Sequence, residues 1–180
     1  MTITQARELI ANASISVAHE QTWLDLGCGS GTFTLALAGL LPQGSRVIGI
    51  DRQHQKLGNP ERQDVRVLFR QGDMQVLLDD YDHVNGILLG NSLHYVRDQP
   101  DFLVRLLGKL LPEGRLIIIE YDTVTPSPWV PYPMPFRNLN SIVSAGAGSH
   151  YEISKLGERP SMFRVEKMYG CEIRLKWKGR

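Results

Sequence analysis

The stretch Asp25-Leu26-Gly27-Cys28-Gly29-Ser30-Gly31-Thr32 constrains this chain more than any other. Glycines stand at 27, 29 and 31, directly after a strand-like run, Thr22 to Leu26, and directly before a helical pattern, Thr32 to Leu41. Glycine tolerates positive φ and, having no Cβ, lets a ligand approach the main chain. A glycine turn between strand and helix marks the crevice at the carboxyl end of an α/β sheet, where such sheets bind ligands. The dinucleotide fingerprint G-x-G-x-x-G is not met, because Thr32 stands where its third glycine is required. That argues against an NAD(P)-dependent oxidoreductase, and no phosphate-binding lysine follows the loop. Asp25, two residues before the first glycine, suits a ligand carrying an ammonium group and is a poor neighbour for a pyrophosphate. The plainer alternative is a glycine turn that serves only close strand–helix packing.

The rest of the chain repeats the alternation. Further strands are expected at Arg46 to Asp51, Val65 to Arg70, Val84 to Leu89 and Arg115 to Glu120. A helix follows Pro100, with Leu103, Leu106, Leu107 and Leu110 on one stripe. Gln5 to Ala13 reads as a preliminary helix, Phe136 to Ala145 as a late one, and Tyr151 to Leu156 and Met168 to Trp177 as closing strands. The last strand alternates Ile173, Leu175 and Trp177 with Arg174, Lys176 and Lys178, which predicts one covered face and one wet face. The expected fold is a three-layer α/β/α, Rossmann-like architecture: a mostly parallel sheet coated by helices on both faces. With 180 residues and no visible boundary, one domain over 1–180 is expected, with the first helix inside 1–19 and a proline-rich segment at 121–136.

Two further acids stand in register with the glycine loop. Asp51 ends the second strand, where a carboxylate can accept both hydroxyls of a ribose. Gly72-Asp73-Met74 follows the third strand; Asp73 can accept from an adenine amino group while the polarizable Met74 sulfur lies against the ring. Taken alone, Asp73 reads as a helix N-cap.

Trp23 to Gly31, then Gly49-Ile50-Asp51, Gly72-Asp73-Met74, Gly90-Asn91-Ser92-Leu93-His94-Tyr95 and Leu111-Pro112-Glu113-Gly114-Arg115-Leu116 resemble the class I S-adenosylmethionine-dependent methyltransferases, in that family's order. The resemblance implies a seven-stranded sheet with an antiparallel hairpin at its end, and S-adenosylmethionine as cofactor. It implies that Asp25, Gly27, Cys28, Gly29 and Gly31 face the methionine moiety, Asp51 the ribose, Asp73 with Met74 the adenine, and Asn91 the sulfonium, with Arg52 and Gly72 also among the cofactor-binding residues. The fourth-strand end, Gly90-Asn91-Ser92-Leu93, departs from the Asn/Asp-Pro-Pro-Tyr/Phe signature of methylases acting on amide or nucleobase amino nitrogens. The implied acceptor is therefore a small molecule with an oxygen, nitrogen or carbon nucleophile. An RNA or protein acceptor, and a non-catalytic cofactor-binding protein, remain the alternatives.

Methyl transfer from a sulfonium requires alignment above all, and a base only where the nucleophile starts protonated. The strand ends offer His94, which can titrate near neutrality, and Tyr95 as catalytic candidates. Glu120 is expected to be a structural acceptor. The segment Tyr121 to Phe136 holds five of the ten prolines and is expected to run stiff and extended, presenting Tyr121, Trp129, Tyr132 and Phe136 to the acceptor.

Composition narrows the partners. Hydrophobic residues make up 42% and charged residues 22%, and the net charge of +1 gives no global pull toward nucleic acid or anionic lipid. The C-terminal row of Arg174, Lys176, Lys178 and Arg180 reads as the solvated face of an edge strand. Cys28 and Cys171 form no disulfide framework, and no Cys/His spacing suggests a metal, so no metal is expected. No secretory leader or membrane span is read, and a cytoplasmic location is expected. So little chain lies outside the sheet that the acceptor site is expected to be open, or completed by a second copy in a homodimer.

Overall fold

The computed structural model describes residues 1–147, 150–161 and 167–175. Helix α1 (Ile3–Ile10) precedes β1 (Thr22–Leu26), α2 (Thr32–Ala38), β2 (Arg46–Asp51) and β3 (Arg66–Gln71). Then come α3 (Met74–Leu77), β4 (Val84–Gly90), α4 (Gln99–Gly108), β5 (Leu110–Tyr121), α5 (Phe136–Ala147), β6 (Tyr151–Pro160) and β7 (Lys167–Leu175). One seven-stranded sheet results, in the order β3-β2-β1-β4-β5-β7-β6. Neighbours from β3 to β5 are parallel, and β7 is antiparallel to both β5 and β6. The chain leaves β1 toward β2 and β3, then returns to place β4 on the other side. Connections therefore diverge between β1 and β4, and that reversal opens the crevice above the glycine loop.

Both faces of the sheet are covered. On one, Ala6, Leu9 and Ile10 of α1 and Phe33, Ala36 and Leu37 of α2 meet Trp23, Val47, Leu88, Ile117 and Ile119. On the other, Phe102, Leu103 and Leu106 of α4 and Leu139 and Val143 of α5 meet Leu24, Leu26, Ile87, Leu89, Leu116 and Ile118. Strands buried on both faces read as continuous aliphatic runs, which is why β1, β4 and β5 were legible. The helices have ordinary local signals. Thr2 and Gln5 form a capping box on α1, and Asp98 caps α4 ahead of Pro100. Gly86 is required by packing, because a Cβ there would lie 2.4 Å from the buried Trp23 ring.

Three expectations need correction. First, β7 does not have one wet face: Met168 to Ile173 are all buried, because the hairpin folds back and sets β7 between β5 and β6. The edge strand is β6. Arg174 faces Glu152 across the hairpin at 3.4 Å, while Lys176, Trp177, Lys178 and Arg180 lie outside the described residues. Second, the connection from β2 to β3 carries no helix; residues 52–65 run irregularly, and Leu57 packs where a Cβ on Gly31 or Gly49 would stand. Third, the proline-rich segment is not extended throughout. Ser127 and Val130 exchange main-chain hydrogen bonds at 3.0 Å, so Pro128 and Trp129 form the tip of a tight turn. Val130 and Met134, which both follow the tip, are buried, and anchoring those two apolar residues bends the chain.

Candidate functional site

The glycine loop is a chain of left-handed residues, with φ of 75° at Gly27, 49° at Gly29 and 84° at Gly31. Non-glycine residues pay about 1–2 kcal/mol for that region, so the spacing is a backbone requirement. The main-chain amides of Gly27 and Cys28 both donate to the Ile50 carbonyl, at 2.8 and 3.0 Å, and tie the loop to β2. Ser92 Oγ donates to the Leu26 carbonyl at 2.5 Å, and its Cβ stands where a Cβ on Gly27 would fall, 2.5 Å away. Met74 Sδ lies 3.5 Å from that same point. The ends of β1 and β4 and the start of α3 therefore meet at one glycine.

Asp51 and Asp73 complete the ring. Asp51 Oδ2 accepts the Gly29 amide and Oδ1 the Gln53 amide, both at 2.9 Å. Each carboxylate oxygen keeps a second lone pair, so binding the loop and receiving a ligand hydroxyl are compatible. Asp73 caps α3 through the Gln75 amide at 2.8 Å and pairs with Arg52 at 2.5 Å. Partial burial pushes its carboxyl up, but the Gln75 amide and Arg52 outweigh this and hold it below the usual range. The N-cap reading of Asp73 is thus realised. Gly72 sits directly before it, its main-chain amide on the Asp51 carbonyl at 2.8 Å.

Two buried acceptors in this ring have no partner among the described residues: Asp25 Oδ1 and Asn91 Oδ1. Asp25 is fully enclosed, with Oδ2 accepting from Thr34 Oγ1 at 2.6 Å. Burial pushes its carboxyl up to about 7; the Thr34 bond opposes this and the neighbouring Asp51 charge adds to it. Asn91 holds φ of 57° without being glycine, its amide bonded to the Ile119 carbonyl at 2.9 Å. An unsatisfied buried acceptor costs about 1–3 kcal/mol, so two beside a glycine crevice describe a cradle for hydrogen-bond donors. Cys28 is buried in the loop, its thiol pushed up by burial and by Asp25 and Asp51; it is a packing residue.

A second cluster surrounds the turn after β4. His94 is 2% exposed; its Nδ1 lies 2.7 Å from Glu120 Oε2, and its amide donates to Glu120 Oε1 at 3.1 Å. A carboxylate only accepts, so the proton sits on Nδ1, and Nε2 bonds to no described residue. The Tyr95 ring meets that of His94 at a tilt of 54° with centroids 4.3 Å apart, and the Tyr121 ring lies at 6.0 Å. Gln99 Nε2 donates to the carbonyls of Leu93 at 3.2 Å and Tyr132 at 2.7 Å, while the Tyr132 amide donates to the His94 carbonyl at 3.1 Å. Gln99 thereby fastens the proline-rich segment to the His94 turn. No sequence signal marked it.

Of the segment's aromatics, Trp129 is 75% exposed and Tyr132 is 39% exposed. Phe136 is half-buried, its ring packed edge-on against Tyr169 at 5.3 Å on the flank of the core. Among the described residues, no group of His, Cys, Asp and Glu could hold a metal ion, and no helix is long and apolar enough to cross a membrane.

The family model described as a methyltransferase domain matches residues 18–148. The trans-aconitate 2-methyltransferase of Deinococcus radiodurans is 37% identical over 97 residues, covering 53% of this chain and 36% of that protein. The chain thus spans well under half the length of that relative. Among solved structures, the YcgJ protein of Bacillus subtilis superposes with a TM-score of 0.68 at 14% identity, covering 97% of this chain and 100% of the other. The 1,6-didemethyltoxoflavin-N1-methyltransferase of Burkholderia thailandensis gives 0.64 at 19% identity, covering 96% of this chain and 77% of the other.

Proposed function

The chain belongs to the methyltransferase-domain family, and from that premise we infer that it transfers a methyl group from S-adenosylmethionine to a small-molecule acceptor. The observation that carries this reading is the pair of buried, unpartnered acceptors, Asp25 Oδ1 and Asn91 Oδ1, beside a left-handed glycine loop. They suit the ammonium end of an amino-acid moiety. The solved relative from Burkholderia thailandensis was crystallised with S-adenosylhomocysteine and its acceptor, which supports the same class of ligand here. The trans-aconitate relative supports a small acceptor.

When bound, the cofactor supplies the electrophilic methyl. Gly27, Gly29 and Gly31 let it lie against the main chain, with Cys28 filling the loop's inner side against Gly49. Asp51 receives the ribose hydroxyls, steadied by the Gly29 amide. Arg52 orients Asp73, and Gly72, Asp73 and Met74 border the adenine. His94 is the base: Glu120 fixes its Nδ1–H, leaving the Nε2 lone pair to take the proton of an acceptor hydroxyl. Tyr95, Tyr121, Tyr132 and Trp129 form the acceptor's side of the crevice.

Calorimetric titration with S-adenosylhomocysteine and, separately, NADH tests the cofactor assignment. Saturable binding of the first alone is expected; binding of NADH alone ends the methyltransferase reading. Once an acceptor is in hand, His94→Gln is expected to lower kcat by about 10²–10⁴ without changing cofactor affinity. An unchanged kcat removes His94 from the reaction.

A further inference from the structure

A groove of about 350 Å³ opens where β5 ends and α5 begins, lined by Asp122, Val124, Pro135, Phe136 and Arg137. Three of these residues make apolar walls, and the other two carry opposite charges. Arg137 forms no ion pair or side-chain hydrogen bond with a described residue, and the first turn of its helix holds no acid. A guanidinium near a helix N-terminus is electrostatically disfavoured, so nothing local explains its presence. Asp122 Oδ1 accepts the Phe136 amide at 3.0 Å, and its other oxygen bonds to no described residue. The two charges share a groove without pairing with each other. Each remains available to a ligand.

Asp122 is two residues beyond Glu120, which holds His94, and one beyond Tyr121, whose ring lies 6.0 Å from that of His94. Val124 on the groove's wall is 55% exposed.

We propose that this groove anchors the methyl acceptor, and that the acceptor is a carboxylic acid with a hydrogen-bond donor, hydroxyl or ammonium, on the carbon next to the carboxylate. Its apolar chain carries, at the far end, the hydroxyl that gives its proton to His94 and takes the methyl. The inference rests on the methyl-transfer reading above and names its substrate class. The planar fork of Arg137 matches a carboxylate in two parallel bonds. The free oxygen of Asp122 takes the neighbouring donor, since an ionised carboxylate only accepts. Val124, Pro135 and Phe136 cover the adjoining carbon chain. A plain carboxylate leaves Asp122 facing like charge, and a plain alcohol leaves Arg137 unused, so the pair selects for both groups together.

The test titrates the full chain with 3-phenyllactate, L-phenylalanine, 3-phenylpropionate and 3-phenylpropanol, with and without saturating S-adenosylhomocysteine. Phenyllactate or phenylalanine is expected to bind at millimolar concentration, phenylpropionate severalfold more weakly, and phenylpropanol not at all. Arg137→Gln should weaken the acids by roughly ten- to hundredfold, and Arg137→Lys should restore part of that. Asp122→Asn keeps an acceptor for the Phe136 amide and should erase the advantage over phenylpropionate. Equal binding of the alcohol, indifference to Arg137→Gln, or no saturable binding of any acid overturns the proposal. S-adenosylhomocysteine binding, read in the same titrations, separates the outcomes. If it binds and the acids do not, the groove assignment fails alone; if it does not bind, the methyl-transfer reading fails, whatever the acids do.

Discussion

The loop ring around Gly27 and the proline-rich segment after β5 are held in different ways. The ring is made mostly of main chain: left-handed glycines, amides on the Ile50 carbonyl and carboxylates capping backbone amides. The segment is made of side chains held by two buried anchors, Val130 and Met134, with Trp129 just ahead of them standing in solvent. Main-chain geometry tolerates few residue types and holds one ligand in one pose. A side-chain wall on a turn can change its residues without changing its course. The difference fits a constant cofactor on one side and a selected acceptor on the other.

The sharpest way to probe the ring is through its buried acid. Folding raises the Asp25 carboxyl from 3.8 to about 7, so between those values the folded state holds a proton that the unfolded state has released. The cost is absent below pH 4, grows as pH rises and is complete above pH 7. Relative to Asp25→Asn, the unfolding free energy of the free protein should therefore fall by on the order of 4 kcal/mol across that interval. Denaturant melts of both proteins at pH 4, 5.5 and 7 check this, and parallel profiles refute it. A ligand ammonium reverses the preference by favouring the carboxylate. Affinity for S-adenosylhomocysteine should then drop up to tenfold per pH unit below 7, a slope that Asp25→Asn abolishes.

Gly27→Ala comes next. A Cβ at φ of 75° and 2.5 Å from Ser92 Cβ combines left-handed strain with overpacking, together about 3 kcal/mol. Cofactor affinity should fall by a hundredfold or more, and a binding curve that matches wild type would mean the ring is not built on its glycines. Where the two regions join, Gln99→Ala leaves the Tyr132 and Leu93 carbonyls without their buried donor, costing about 1–2 kcal/mol of stability. Its acceptor KM should rise while cofactor affinity holds. The smallest effect is expected at Trp129→Ala, within about 0.5 kcal/mol in stability because the ring is exposed. A severalfold rise in acceptor KM is expected there, and unchanged saturation kinetics would remove Trp129 from the wall.

The inner strands were legible because strands buried on both faces must be largely aliphatic, and β3 through its period-2 alternation; β1 and β2 begin and end where their residues suggested. The glycine loop was legible because its spacing serves backbone conformation, which is local. The inward burial of β7 was not, since the pairing of β7 between β5 and β6 is a long-range choice. Phe136 likewise reads as a free aromatic until Tyr169, distant in sequence, is seen against it. Glu120 was expected as an acceptor, but its partner, His94, emerged only from the approach of β5 to the turn after β4.

By itself, then, the sequence determined the elements, their parallel alternation and the loop whose glycines admit a ligand, because each depends on residues within one turn or one strand. The tertiary structure decided which atoms stay unpaired. Asp25 and Asn91 became orphaned acceptors, His94 acquired a fixed tautomer, and Arg137 and Asp122 came to share a groove unpaired. Partnering, or its lack, depends on which distant groups packing brings within hydrogen-bond reach, and no local pattern carries that information.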